Sequence, residues 1–525
     1  MIRIANKDSL DIVNLPCEVS EAYGDISDAV DIIKDPITYL PDFWREHKKE
    51  PTVKEDKTFS LEKPDIVLIN PPFTRLQNLP VALRKQSPIR CLNDICGNKI
   101  NYWGYFLAHA DRILKAGGKI GAIIPDSFLR GERTQKIREH IITNYSVDYI
   151  IKPPEGYCFS EDSEFGDIII IAKKCQPEEN HETRLVFLHG DILKRSPEDV
   201  KDLIRKILAE IGNKVEYEKF SIRKIKQKEL INNRHNLSPF FFSNNVSAQD
   251  KVNLFVTKIR ANGFMEKMNR TLMEAGFQLR GVERPKESVI TRNLGESRLS
   301  KAKYYFSYDT ESDFLEYFDK ADKCHKIQKN RLTRTFRTCV DVDTFNITSK
   351  HDYFIHEKNH KKKSSNLIIP SRVELISENT HALGFYDEER ISPLDTFVMY
   401  MCSTKEESKL TCLYVQSVFF IAQLLTVAKM SRGEGAFANY VEIKLDYLQE
   451  IYAPTFDKID KAVEGELFEY FEQFKDKKLP SLVKQMAEKN SDRIKLDLLL
   501  NNALKLGFSK SDIEGMYEII SQIIR

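Results

Sequence analysis

The stretch Asp65-Ile66-Val67-Leu68-Ile69-Asn70-Pro71-Pro72-Phe73 (DIVLINPPF, 65–73) decides how the first third of this chain is read. Four branched apolar residues in succession suit a strand buried in a parallel sheet. They stop at an asparagine followed by two prolines, which cannot extend a hydrogen-bonded ladder and which stiffen the turn. Asn70-Pro71-Pro72-Phe73 is therefore expected at the carboxyl end of a strand, the edge at which open α/β sheets bind ligands.

Working outward, MIRIA at the start is a short strand candidate. Residues 101–116 read as a helix closing at Gly117-Gly118, and GKIGAIIP (118–125) as a buried strand ending at Pro125. REHIITNY reads as a helix, and VDYIIK and DIIIIAKK as strands. Buried Ile and Val runs separated by helices imply an α/β sheet covered on both faces. Residues 181–230 are charged and lysine-rich, with a helix around 198–212, and read as a connector. Residues 231–455 mix aromatic clusters (Phe240, Phe241, Phe242; Tyr304, Tyr305, Phe306), basic runs and short strands. Within them LTCLYVQSVFFIAQLL (410–425) reads as one strongly apolar helix, and 456–525 as a helical tail. There is no internal repeat, and the one biased segment, HEKNHKKKSSN (356–366), reads as a solvated basic loop.

Composition narrows the classes. The 525 residues carry 80 Lys plus Arg against 78 Asp plus Glu, a net charge of +2, so any basic surface for a nucleic acid must be local. No apolar run reaches the ~18–20 residues of a membrane span, and MIRIANKDSL has no signal-peptide layout. The nine cysteines are scattered; Cys91 and Cys96 are the closest pair and no second pair stands at zinc spacing. They read as reduced thiols of a cytosolic protein, with no metal site.

The chemistry suggested by Asn-Pro-Pro-Phe is specific. An exocyclic amine on adenine is a poor nucleophile because its lone pair is delocalised into the ring. Two acceptors that take both of its N–H groups draw the nitrogen toward tetrahedral geometry and localise the pair. The side-chain oxygen of Asn70 and the carbonyl of Pro71 are suited to that task, as preorganised acceptors facing a nitrogen that becomes positive. The ring of Phe73 can stack on a purine face. The plain alternative is that the tetrapeptide only ends a strand.

The residues downstream of the tetrapeptide support the chemical reading. NYWGYFLAHADRILKAGGKIGAIIPDSFLRGERTQKIREHI (101–141) supplies helix, Gly-Gly turn, strand, proline and helix in succession. On these residues, 60–175 resembles the gamma-class N6-adenine DNA methyltransferases of restriction–modification and phage-defence systems. The resemblance implies a partial Rossmann-like class I methyltransferase sheet in an incomplete catalytic domain (1–180). It further implies the connector (181–230), a mixed α+β target-recognition domain (231–455) and the helical tail (456–525). NNRHNLSPFFFS (232–243) resembles the entry to such a recognition domain, and residues 392–454 its closing helices and strand.

The resemblance also assigns roles. Asn70, Pro71, Pro72 and Phe73 match the catalytic tetrapeptide. Phe159, in GYCFSEDSEFGDIIII, matches the aromatic that stacks on the other face of a flipped base, with Phe165 the competing aromatic and an ordinary core residue the plain alternative. Phe106 matches the residue that packs on the adenine of S-adenosylmethionine, and Asp8 the acid that binds that adenine's amine. For double-stranded DNA, Arg331, Arg334 and Arg337 in NRLTRTFRT stand at a spacing of three, with Lys326 and Lys329 before them. On a helix they would form a basic stripe for phosphates or guanine edges. Lys361, Lys362 and Lys363 form a basic loop tip. VEIK (441–444) has the look of a nuclease strand, but no suitably placed upstream acid completes it and it fits the closing strand of the recognition domain better; a nuclease or other defence subunit stays open as a further partner.

One feature of the family is not found. Its members carry a Gly-rich donor-binding loop upstream of the acid matched by Asp8, whereas Met1 stands seven residues before Asp8. AGGKIGA (116–122), AGFQLRG (275–281) and SRGEGAF (431–437) contain glycines, but none follows a convincing strand and opens a helix with an acid after it. The resemblance thus implies a partner polypeptide that supplies the missing strands and loop, without which the edge of DIVLI would lie unpaired. Two alternatives stay open: the same pocket acting on RNA or a protein glutamine, and a catalytically silent DNA-binding specificity or sensor module.

Overall fold

The computed structural model describes residues 63–74, 92–160, 166–190, 195–268, 339–348, 364–391, 393, 396–431 and 440–524, with the backbone of short strands between 272 and 356. The chain divides into two compact units, Met1–Leu237 and Ser238–Arg525.

The first unit is built on a seven-stranded sheet. Its strands are β1 (Ile66–Ile69), β2 (Lys119–Pro125), β3 (Ser146–Lys152), β4 (Asp167–Lys173), β5 (Glu182–Leu188), β6 (Lys214–Glu216) and β7 (Phe220–Lys226), in the order β1-β2-β4-β3-β5-β7-β6. β1 lies parallel to β2 and β3 parallel to β5, while β4 runs antiparallel to both β2 and β3. β7 reverses against β5 and β6, so every strand except β4 and β7 points one way. Helices α1 (Tyr102–Ile113), α2 (Gln135–Asn144) and α3 (Pro197–Ala209) connect them. This mixed α/β sheet is the layered architecture that the buried Ile and Val runs predict.

Two expectations need correction. Residues 181–230 do not link domains: they supply β5, α3, β6 and β7 of the same sheet. Their high lysine content reflects half-exposed strands and the outer side of α3, while Leu185, Val186, Phe187, Leu203, Ile207 and Ile222 are buried. Among the described residues the sheet is also not covered on both faces at its β1 edge. Ile66 and Leu68 are 62% and 79% exposed, and among the described residues β1 pairs on one side only.

Buried polar contacts lock the helices to this sheet. The fully buried Arg138 of α2 donates to the carbonyls of Phe128 (2.9 Å), Gly131 (3.1 Å), Arg234 (2.6 Å) and His235 (2.7 Å). A guanidinium presents its donors in a fixed fork, so one side chain can tie three backbone segments together. The Tyr145 hydroxyl donates to Asp111 of α1 (2.6 Å), and the Lys174 ammonium stands 3.3 Å from the same carboxylate oxygen.

The second unit carries an antiparallel sheet in the order Phe385–Ile391, Ser365–Pro370, Phe397–Tyr400, Leu272–Glu274, together with the helical tail. The apolar stretch 410–425, expected as one helix, is two: α4 (Lys405–Gln416) and α5 (Val418–Val427), bent by 69°. Ser417 causes the break. Its hydroxyl donates to the Tyr414 carbonyl (2.6 Å) and accepts from the Phe420 N–H (3.3 Å), capping α5. Among the described residues no single helix is long and apolar enough to cross a membrane.

The first N–H of α5 is met from the tail. Asp497 in α6 (Ser491–Ala503) accepts from the Val418 N–H (3.0 Å) and from the hydroxyl of Tyr517 in α7 (Lys510–Ile524). Complete burial pushes its carboxyl up to about 7, against the pull of Tyr517, Arg493 and Val418. The folded state therefore holds a proton that the unfolded chain releases near the ordinary carboxylate value. Stability from this group is present at low pH and is lost as pH rises toward about 7, where it levels off. Asp497→Asn is expected to flatten the fall in stability between about pH 5 and about pH 7. Urea melts across that range check it, and an unchanged slope in the variant would contradict the assignment.

Candidate functional site

The strand directions decide what meets at one edge of the first unit. β1, β2 and β3 end there, and β4, running the other way, begins there, with Pro125 opposite Asp167. Asn70 leaves β1 at that edge, directly after Ile69 in its parallel pairing with Ala122. Asn70 and Pro72 are exposed, Pro71 is buried and Phe73 is half-buried. The loop is tied onward by the N–H of Tyr102, which donates to the Thr74 carbonyl (3.0 Å) at the start of α1.

Two glycines let α1 return to the sheet. Gly117 has φ +77°, a left-handed conformation that costs other residues energy. A Cβ on Gly118 would stand 2.9 Å from the Asp65 carbonyl, too close for any side chain. The AGGKIGA turn therefore closes a helix onto β2 and opens none, so it is not a donor-binding loop.

Phe106 lies on α1 with its ring half-buried and edge-on to Tyr102, 5.1 Å between centroids. Phe159 lies on the 153–160 loop that leaves β3. Its half-buried ring packs against the cluster of Val186, Leu188, Leu203, Ile207, Phe220 and Ile222.

The contact that brings the loop to the tetrapeptide was not foreseen from the sequence. The Ser160 hydroxyl lies 3.5 Å from Oδ1 of Asn70. The backbone N–H of Phe159 donates to Oδ1 of Asp167 and that of Ser160 to Oδ2, both at 2.8 Å. Asp167 is 1% exposed. Burial raises its carboxyl above the ordinary range, and the Phe159 N–H, the Ser160 hydroxyl and the Ser160 N–H pull it back down. The signal in the sequence is an aspartate opening the run Ile168-Ile169-Ile170-Ile171, where a charge needs a local reason.

The remaining expected residues divide. Asp8, Phe165, Arg331, Arg337, Lys361, Lys362 and Lys363 lie outside the described residues, as does MIRIA. Arg334 lies in the strand Leu332–Thr335, where it pairs with Phe354. The expected helix is therefore corrected for residues 332–335, which form a strand. Thr333 and Thr335, β-branched, favour the strand, and a spacing of three alternates between the two faces of a strand.

Comparison with curated proteins returns no match. Among solved structures, the type IIG restriction endonuclease BpuSI shares 14% identity over 88% of this chain and 54% of its own, with a TM-score of 0.37. The type IIL restriction–modification enzyme MmeI, solved in complex with DNA, shares 11% identity over 87% of this chain and 57% of its own, with a TM-score of 0.40. A type I restriction–modification methyltransferase subunit from Streptococcus thermophilus shares 16% identity over 35% of this chain and 39% of its own, with a TM-score of 0.26. The chain spans little more than half the length of BpuSI and MmeI. At these identities and TM-scores the likenesses assign no role to a residue of this chain. The sequence itself carries a family signature: residues 25–159, which include the tetrapeptide and Phe159, match the Eco57I restriction-modification methylase family.

Proposed function

We propose that this chain is the catalytic and recognition part of a site-specific adenine-N6 DNA methyltransferase in a restriction–modification or phage-defence system. The observation that carries the reading is the Asn70-Pro71-Pro72-Phe73 turn. It stands at the carboxyl edge of a sheet in which β1 and β2 are parallel, with the Phe159–Ser160 loop beside Asn70. The methylase match over residues 25–159 agrees with it.

In this reading the chain's own groups do four things. Asn70 Oδ1 and the Pro71 carbonyl accept from the two N–H groups of a flipped adenine amine, localising its lone pair for attack. Phe73 stacks on one face of the base and Phe159 on the other. The amine forms the new C–N bond as the C–S bond of the donor breaks, and the displaced pair leaves with the sulfur. The extra proton on N6 departs afterwards to water, so no strong base is required at the moment of transfer. S-adenosylmethionine supplies the methyl group when bound. Among the described residues the half-open ring of Phe106 fits its adenine, with Asp8 proposed for the adenine amine.

A partner polypeptide is proposed to extend the sheet past β1 and to bring the Gly-rich donor loop. The support for this is the apolar side chains of Ile66 and Leu68, exposed on an edge strand. Covering each contributes roughly 1.5–3 kcal/mol, and a new strand would also satisfy the ladder groups of β1 that have no partner among the described residues. Residues 231–455 are proposed to read double-stranded DNA, with Arg331, Arg334, Arg337, Lys361, Lys362 and Lys363 as phosphate contacts.

Asn70→Ala is expected to lower methyl transfer by the assembled complex on the order of a hundredfold or more, while DNA binding survives. Tritiated-methyl transfer to duplex DNA reads it, with RNA and glutamine peptides as competing acceptors. Undiminished transfer by the variant would sink the role of the tetrapeptide, and transfer to RNA or peptide alone would sink the substrate.

With the donor loop proposed to lie on a partner, the chain by itself is expected to bind S-adenosylmethionine only weakly. Each hydrogen bond contributes ~0.5–1.5 kcal/mol net, so several missing contacts shift a micromolar site toward millimolar. Isothermal titration with and without the partner is the measurement. Micromolar one-to-one binding by the chain alone would remove the need for a partner-borne donor site.

A further inference from the structure

We propose that Asp167 is a positioning residue for the Asn70 site: its carboxylate clasps the Phe159–Ser160 backbone so that the Ser160 hydroxyl holds the Asn70 carboxamide with its oxygen facing the incoming amine. The proposal rests on the adenine-methyltransferase reading and deepens it.

The geometry has three parts. First, each oxygen of one carboxylate takes one of two successive N–H groups, at 2.8 Å each. Such a clasp fixes the direction of the peptide plane between Phe159 and Ser160. Charge-assisted bonds of this kind are stronger than neutral ones and offset the desolvation of a buried carboxylate. Second, Asp167 is anchored in the sheet and opposite Pro125, so the clasp refers the loop to the same strands that carry Asn70. Third, the Ser160 hydroxyl reaches Asn70 Oδ1 at 3.5 Å, near the outer limit of a hydrogen bond.

That length suits the role. A carboxamide has an oxygen end and a nitrogen end, and catalysis of the proposed kind needs the oxygen toward the amine. A hydroxyl donor beside Oδ1 favours that orientation over the flipped one. A carbonyl oxygen has two lone pairs, so the adenine N–H can bind beside a long hydroxyl contact or displace it at little cost. The same clasp fixes the backbone from which Phe159 projects. One buried carboxylate thus sets both the acceptor and the aromatic, and it touches no substrate itself.

The test separates the clasp from its role in the reaction. Hydrogen–deuterium exchange with residue-level fragmentation, on the full chain, reads the amides of Phe159 and Ser160. Asp167→Ala should speed their exchange at least about tenfold, while distant amides of β5 and α2 keep their rates. Exchange unchanged at those two amides would overturn the clasp, whatever the activity. Should Asp167→Ala fail to fold, Asp167→Asn, which keeps the shape and one acceptor, serves with an intermediate expected effect.

In the complex with its partner, Ser160→Ala should lower kcat about tenfold, with KM for DNA within about twofold. Asp167→Ala should lower kcat on the order of a hundredfold. With 2-aminopurine at the target position, Asp167→Ala should change the fluorescence of the bound duplex and Ser160→Ala should leave it alone, because only the first moves Phe159. Faster exchange with unaltered kcat would make Asp167 purely structural and overturn the proposal. A wild-type complex that methylates no DNA would sink the reading of function on which the proposal rests. The exchange arm would still decide the clasp.

Discussion

Strand β4 enters the sheet against the direction of β2 and β3, and the arrangement of the site depends on that reversal. Had β4 run parallel, Asp167 would lie at the opposite edge from Asn70. Because it is antiparallel, with Pro125 paired to Asp167, a strand start joins the strand ends at one edge. The connection 153–166 that leaves β3 must then return to the same edge to enter β4. The Asp167 carboxylate holds that connection by the N–H groups of Phe159 and Ser160.

The sheet beyond β3 supports this edge. β5, β7 and β6 continue the ladder, and α3 covers one face through Leu203 and Ile207. Phe159 packs on that cluster. A segment that looks by composition like a tether is therefore part of the platform on which the loop rests. At the opposite end β1 is the last strand among the described residues, and there Ile66 and Leu68 stay exposed. An edge strand with free ladder groups and an apolar face invites pairing, which natural sheets otherwise prevent with charge, proline or a cover. The same strand carries Asn70, so whatever pairs with β1 would also stiffen the tetrapeptide.

The second unit uses buried polar groups in a different way. Ser417 and Asp497 between them satisfy the N-terminus of α5 inside an apolar core, where open N–H groups would be costly. Arg493 donates to Gln485 Oε1 (2.6 Å) and to the carbonyl of Gln416 at the end of α4. The helical tail is thereby bonded to both ends of the α4–α5 bend rather than merely packed upon it.

Sequence alone determined the strands β1 to β4, the Gly-Gly return and the position of Asn70 at a strand end. Continuous Ile and Val runs, prolines and a paired glycine are local signals with few alternative conformations. It did not determine which residues meet across the sheet. Asp167 reads as the first residue of a strand, and Ser160 as one polar residue in an acidic loop. Only strand order and direction bring them to Asn70. Nor could it show that 182–226 completes the sheet, because partly exposed strands carry the lysines of a linker. The run 410–425 reads as one helix because hydrophobicity ignores the hydroxyl that breaks it at Ser417. The arginine spacing 331–337 fits a helix stripe until the backbone of 332–335 shows a strand, since period alone carries no information about which conformation it belongs to. Local propensity placed the Asn-Pro-Pro-Phe tetrapeptide; the long-range pairing of β4 decided what surrounds it.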